Sequence, residues 1–136
     1  MSKFNTYKKE NSMERGKIFI IDDNEEDLEI TKELLEKVGY RVKGNYGLLG
    51  STKNIKTFCP NIVLLDVNMP ALSGDKLYDL LEYNIKQFRI PVFFYSSLDE
   101  NYLKKLTLQK KVTDYIPKGD VFQLFKKLSF YIKNSN

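Results

Sequence analysis

Histidine is missing from this chain altogether. Its absence excludes Ser-His-Asp and Cys-His nucleophilic mechanisms and any histidine-ligated metal site. Any metal held here must be a hard cation with oxygen ligands. There is a single cysteine, Cys59, so no intrachain disulfide can form, which suits a reducing compartment. With no histidine to activate its thiol, Cys59 reads as a small core residue at the approach to a strand and not as a nucleophile. No apolar run approaches the ~20 residues that a membrane helix needs. The stretch from Met1 to Arg15 is polar and lacks the apolar segment of a signal peptide. These absences lead to the expectation of a cytoplasmic protein with no membrane partner. Internal repeats and low-complexity linkers are also lacking.

The chain has 136 residues, 42% of them apolar, enough for one domain with a real core. Residues 1–15 show no periodicity and read as a flexible N-terminal tail; residues 16–136 read as the folded domain, with no second domain after the last helix. The organising stretch is Ile62-Val63-Leu64-Leu65-Asp66, four apolar residues running into one carboxylate. A continuous run of this kind is a strand buried on both faces, as in a parallel sheet. Ile18 to Ile21 forms a second such run and ends at Asp22-Asp23. Asn24 is placed to cap a helix, with Glu25, Glu26 and Asp27 favourable in its first turn and Gly39 at its end. Tyr40 to Lys43 reads as a short edge strand. A helix is expected from about Leu48 to Phe58, and another from near Asp75 with Leu77, Leu80, Leu81 and Ile85 inward. Val92 to Tyr95 is the fourth strand, ending at Ser96-Ser97. A helix follows from Asp99 to about Lys111, carrying Tyr102, Leu103 and Leu106. Thr113 to Ile116 is the fifth strand, ending at Pro117-Lys118, and a last helix begins near Asp120.

Five alternations of strand and helix with short connections imply an α/β fold, a doubly wound five-stranded parallel sheet with helices on both faces. Right-handed crossovers and a weak second strand favour the flavodoxin-like order 2-1-3-4-5. That order makes the first and third strands neighbours at the switch point. Asp22, Asp23 and Asp66 then converge at one edge of the sheet, beside Ser96 and Lys118. Three close carboxylates repel one another unless a cation intervenes. Mg²⁺ resolves the conflict, since it takes carboxylate oxygens, keeps waters and leaves room for phosphate; the backbone carbonyl of Asn68 is a further candidate ligand. A carboxylate beside Mg²⁺, with a lysine opposite, is suited to attacking phosphorus.

At these residues the sequence resembles the receiver domain of bacterial two-component response regulators, including the single-domain chemotaxis type, over about Lys17 to Lys133. The loop from Asp66 to Gly74, with Met69-Pro70 in register, carries much of the likeness. The resemblance implies that Asp66 is the phosphoacceptor, Asp22 and Asp23 the acidic metal pair, Ser96 and Tyr115 the switch positions, and Lys118 the family's lysine. It implies Mg²⁺ as cofactor and a sensor histidine kinase or histidine phosphotransfer protein as donor. The downstream target would be a protein that meets the face made by the fourth helix, fifth strand and fifth helix. Two departures stand out. Pro117 precedes Lys118, and Gly119 follows it where the family usually has proline; and the stretch from Gly44 to Lys53 is unusual. Leu98, two residues after Ser96, lies where an apolar side chain would keep water from the phosphoryl group. Other readings stay open: a receiver-fold adaptor that works without phosphorylation, separated by whether Asp66→Asn retains function; a nucleic-acid-binding module using the basic last third (Lys104, Lys105, Lys110, Lys111, Lys126, Lys127 and Lys133), a less favoured partner class; and a flavin protein, which would be coloured.

Overall fold

The computed structural model describes residues 14–47, 49–69, 72–73, 76, 78–79, 82 and 86–135. Five strands form one parallel sheet: β1 (Gly16–Ile21), β2 (Tyr40–Asn45), β3 (Ile62–Leu65), β4 (Val92–Ser96) and β5 (Asp114–Pro117). Their spatial order is β2-β1-β3-β4-β5, the one expected from the sequence. The helices are α1 (Glu25–Lys37), α2 (Ser51–Phe58), α3 (helical at 76, 78–79, 82 and 86–88), α4 (Glu100–Lys110) and α5 (Val121–Lys133). Leu77, Leu80, Leu81 and Ile85, expected to face inward from α3, lie outside the described residues, as does the N-terminal tail up to residue 13. The folded unit reaches back at least to Arg15, whose amide donates to the Gly39 carbonyl at 2.8 Å.

The unbroken apolar runs have a simple cause. Side chains alternate across a strand, and both faces of this sheet are covered. Phe19, Ile21, Val63, Leu65 and Phe94 pack on one face against Ile55 of α2, Tyr78 of α3, and Leu103 and Leu106 of α4. Ile18, Ile20, Ile62, Leu64 and Phe93 pack on the other against Leu28 and Leu35 of α1 and Leu124 and Leu128 of α5. Three helices start under side-chain caps: Asn24 accepts from the Asp27 amide, Asp99 from Tyr102 and Asp120 from Gln123, each satisfying an amide that has no partner inside its helix. After β3 the chain makes a two-stranded antiparallel ribbon, Asn68–Met69 against Leu72–Ser73.

Two expectations need correction. The second helix starts at Ser51, not near Leu48. Gly50 precedes it in the left-handed region (φ 79°) without a side-chain cap, and the Asn45 amide group holds the carbonyls of Gly47 and Leu49 in a loop. Cys59 is not a core residue. It caps the C-terminus of α2 in the left-handed region (φ 52°), its amide donating to Ile55, and this conformation leaves the side chain exposed. The helix expected to carry Tyr102, Leu103 and Leu106 does so as α4; its inward stripe runs through Leu103, Leu106 and Thr107 at helical spacing, and Tyr102 is exposed.

Candidate functional site

All strands of a parallel sheet point the same way, so β1, β3, β4 and β5 deliver the residues after them to one edge. Asp22 follows β1 and is fully buried. Its amide donates to the Asn45 carbonyl of β2, and its Oδ1 accepts from the Asn24 amide at 2.9 Å. Asp66 follows β3. Its amide donates to the Ile21 carbonyl, and its Oδ1 accepts from the Asn68 amide at 2.8 Å. Asn68 is therefore engaged through its N–H; its carbonyl has no role in these contacts. Asp23 is exposed beside them. Carboxylate oxygens from Asp22, Asp23 and Asp66 all lie within 4.8 Å of one another.

Lys118 closes the site from β5. Its amide donates to the Ser96 carbonyl, which extends the β4–β5 pairing by one residue. The Asp120 amide then reaches back to the Pro117 carbonyl at 3.2 Å, and Gly119 takes φ 88°. A glycine with positive φ in the third position of a four-residue turn is the type II pattern. The turn after β5 is thus built around the glycine that stands where the resemblance led one to expect proline. No cis peptide bond occurs among the described residues.

The lysine ammonium meets three carboxylates: Asp22 Oδ2 at 2.7 Å, Asp27 Oδ2 at 2.9 Å and Asp66 Oδ2 at 3.0 Å. It also sits 5.9 Å from the centre of the Tyr95 ring. Burial works against its charge, yet the bonds to Asp22 and Asp27 and the charge of Asp66 outweigh burial and hold its pKa above the ordinary lysine value. Burial is also the largest influence on Asp22. It pushes that carboxyl up to about 6, against the lowering by Lys118 and the Asn24 amide and with some help from the Asp66 charge.

These residues fit a hard cation. Asp22 Oδ2 is buried and accepts no hydrogen bond of good alignment, although the ammonium is close enough for an ion pair. A buried anionic oxygen left in that state is costly, and a dication taken by the three clustered carboxylates would satisfy it. The donor set is oxygen only, which matches Mg²⁺.

Ser96 is fully buried; its Oγ accepts from the Leu98 amide at 3.2 Å. Leu98 is half-buried against the core face that holds Phe94. Tyr115 is half-buried on β5, its hydroxyl donating to Glu100 Oε2 of α4 at 3.1 Å and its ring lying 4.3 Å from Lys127 Nζ of α5. It therefore bridges α4, β5 and α5. Asp27 is the residue that sequence reasoning left out of the site. It reads as a first-turn acid that complements the helix dipole, with no local signal that it faces the site.

Comparison with known proteins agrees with this geometry. The family model described as response regulator receiver domain matches residues 18–129. The chain is 29% identical over 102 residues to the alkaline phosphatase synthesis transcriptional regulatory protein PhoP of Bacillus subtilis, covering 75% of this chain and 42% of that protein. It is 28% identical over 109 residues to the hybrid signal transduction histidine kinase D of Dictyostelium discoideum, covering 80% of this chain and 7% of that one. The chain thus spans less than half the length of either relative. Among solved structures, the BeF3-activated N-terminal receiver domain of Klebsiella pneumoniae RstA superposes with a TM-score of 0.75 at 25% identity, over 87% of this chain and 99% of that one. The Vibrio cholerae chemotaxis protein CheY4 gives 0.73 at 18% identity, over 87% and 98%. From strand order to family match, these findings agree that the chain belongs to the response regulator receiver domain family of two-component systems.

Proposed function

We propose that this chain is a phosphorylation-controlled switch in which Asp66 accepts a phosphoryl group. The observation that carries the reading is Lys118 bonded to Asp66 Oδ2 inside a three-carboxylate cluster. In the reaction an Asp66 carboxylate oxygen forms the new bond to phosphorus. The bond from phosphorus to the donor breaks, and its electron pair leaves with the donor, an imidazole nitrogen of a sensor histidine kinase or histidine phosphotransfer protein. Lys118 faces the oxygen involved and neutralises charge gathering on the phosphoryl oxygens. Asp22, Asp23 and Asp66, with the Asn68 carbonyl as a further candidate, would hold Mg²⁺. When bound, that ion supplies further charge neutralisation and helps orient the phosphoryl group. The Asn68 amide, bonded to Asp66 Oδ1, fixes the carboxylate so that the other oxygen is presented. Leu98 limits the access of water to the product.

The product carries more negative charge and more acceptor oxygens than the carboxylate did. The Ser96 hydroxyl, whose oxygen accepts from the Leu98 amide, donates its proton to a phosphoryl oxygen, and Tyr115 gives up Glu100 and turns inward. This biases the surface of α4, β5 and α5 between two packings, and a downstream protein reads the difference. The reading also has the switch act in the cytoplasm.

The test is intact-protein mass after incubation with acetyl phosphate, with and without Mg²⁺, for wild type and Asp66→Asn, with amide chemical shifts followed on the same samples. The expected result is a Mg²⁺-dependent gain of one phosphoryl group, absent in the variant, with shifts spreading to α4, β5 and α5. Equal labelling of Asp66→Asn contradicts the acceptor assignment. Shifts confined to the pocket contradict the switch.

A further inference from the structure

Asp27 stands outside the cluster that could hold a cation. The clustered oxygens come from Asp22, Asp23 and Asp66, whereas Asp27 lies in the first turn of α1 and reaches the site only through Lys118. Its position is fixed from both ends. Its own amide is the one capped by the Asn24 side chain at 2.9 Å, and its Oδ2 accepts from Lys118 at 2.9 Å. The side chain is 44% exposed, against 1% for Asp22 and 4% for Asp66. Asp27 and Lys118 both border a cleft of about 400 Å³ between α1 and the start of α5, lined also by Ile30, Tyr95 and Val121.

An ammonium has three protons; here Asp27 and Asp66 accept hydrogen bonds from it, and Asp22 Oδ2 is its third carboxylate partner as an ion pair at 2.7 Å. Two of those partners are the groups a dication must take. A second positive charge cannot share the buried Asp22 Oδ2 without strong repulsion at such short range, so the lysine must loosen its hold on Asp22 for a cation to settle. A largely buried ammonium resists moving unless an anion goes on satisfying it. Asp27 is the carboxylate in contact with Lys118 that the cation does not need. The cleft gives the ammonium room to shift toward it without disturbing the sheet core.

Building on the reading that the cluster holds Mg²⁺, we propose that Asp27 is a positioning residue for Lys118: it retains the ammonium while Mg²⁺ takes over Asp22 and Asp66, and so makes the cation site and the lysine compatible. With the charge at position 27 removed, Lys118 depends on Asp22 and Asp66 alone and competes with the cation for both.

The experiment is a double-mutant cycle read by calorimetric Mg²⁺ affinity on the unphosphorylated protein: wild type, Asp27→Asn, Lys118→Ala and the double variant. Asp27→Asn is expected to weaken Mg²⁺ binding about three- to tenfold, the size of one partly screened charge contact. In the Lys118→Ala background, where no ammonium has to move, the same substitution is expected to change affinity by about twofold or less, the effect of a screened charge at a distance. Asp27→Glu, which keeps the charge, restores affinity to near the wild-type value. Equal weakening in both backgrounds overturns the proposal, because Asp27 would then act only through its field. An unchanged affinity in Asp27→Asn overturns it as well. Absence of Mg²⁺ binding by wild type overturns the cation reading of the cluster and this proposal with it, and is distinct from either result above. Thermal melts of all variants without Mg²⁺ separate loss of fold from loss of binding.

Discussion

Asp22 and Lys118 show how one buried pair divides a conflict between burial and charge. The lysine has three carboxylates and keeps its proton; the aspartate is deeper, shares that lysine, and resists ionising until about pH 6. A carboxyl that ionises less readily in the folded state holds more protons there than in the unfolded chain between its ordinary value of 3.8 and about 6. Raising the pH through that window therefore removes stability. Without Mg²⁺, Asp22 is expected to lower unfolding free energy by about 1–3 kcal/mol between about pH 4 and pH 6 relative to Asp22→Asn. Urea unfolding of both proteins at stepped pH checks this; identical pH profiles contradict it. At this scale much of the site could be read from the sequence. Asp22, Asp23, Asp66, Ser96 and Lys118 were legible because each follows an apolar run, and parallel strands bring their ends together. Asp27 was not. Its contact spans 91 positions and depends on the placement of α1 over the sheet edge, which no local pattern encodes. Cys59 was misread because local composition does not reveal a left-handed helix cap.

The elements that carry these residues are held by close approaches as much as by apolar area. Gly44 of β2 is the tightest. A Cβ built there would lie 2.4 Å from Leu28 Cδ2, and Leu28 is itself almost fully buried in α1. The strand and helix can therefore meet only over a glycine. Gly44→Ala is expected to destabilise the fold by about 1–3 kcal/mol, the usual cost of overfilling a close-packed site, as measured by urea unfolding. A stability within about 0.5 kcal/mol of wild type, typical of a surface substitution, contradicts that packing. Because α1 carries Asp27, weakened cation binding should accompany the loss. Strands and capped helices were legible as elements, since runs such as Ile62 to Leu65 and caps such as Asn24 and Asp120 have local causes. The start of α2 was not, because the Asn45 side chain replaces helix with loop through bonds to Gly47 and Leu49. The turn after β5 was legible as a departure, but its form rests on the Gly119 φ and the Asp120 amide together.

Over the whole molecule, two clusters of apolar side chains lock the sheet between α1 and α5 on one face and α2, α3 and α4 on the other. The site lies where β1, β3, β4 and β5 end, and Tyr115 links that edge to α4 and α5 through Glu100 and Lys127. Strand order and layering were legible because alternation and handedness leave few arrangements. The contacts of Ser96 with the Leu98 amide and of Tyr115 with Glu100 were not, because only three-dimensional placement supplies them. Borohydride reduces an aspartyl phosphate to homoserine, so the decisive measurement is peptide mass mapping after phosphodonor treatment with Mg²⁺ and borohydride trapping. Phosphoryl transfer to Asp66 predicts homoserine at position 66 and nowhere else. Homoserine at position 22 or 23, or none after exposure to both a small donor and a phosphohistidine protein, would contradict it.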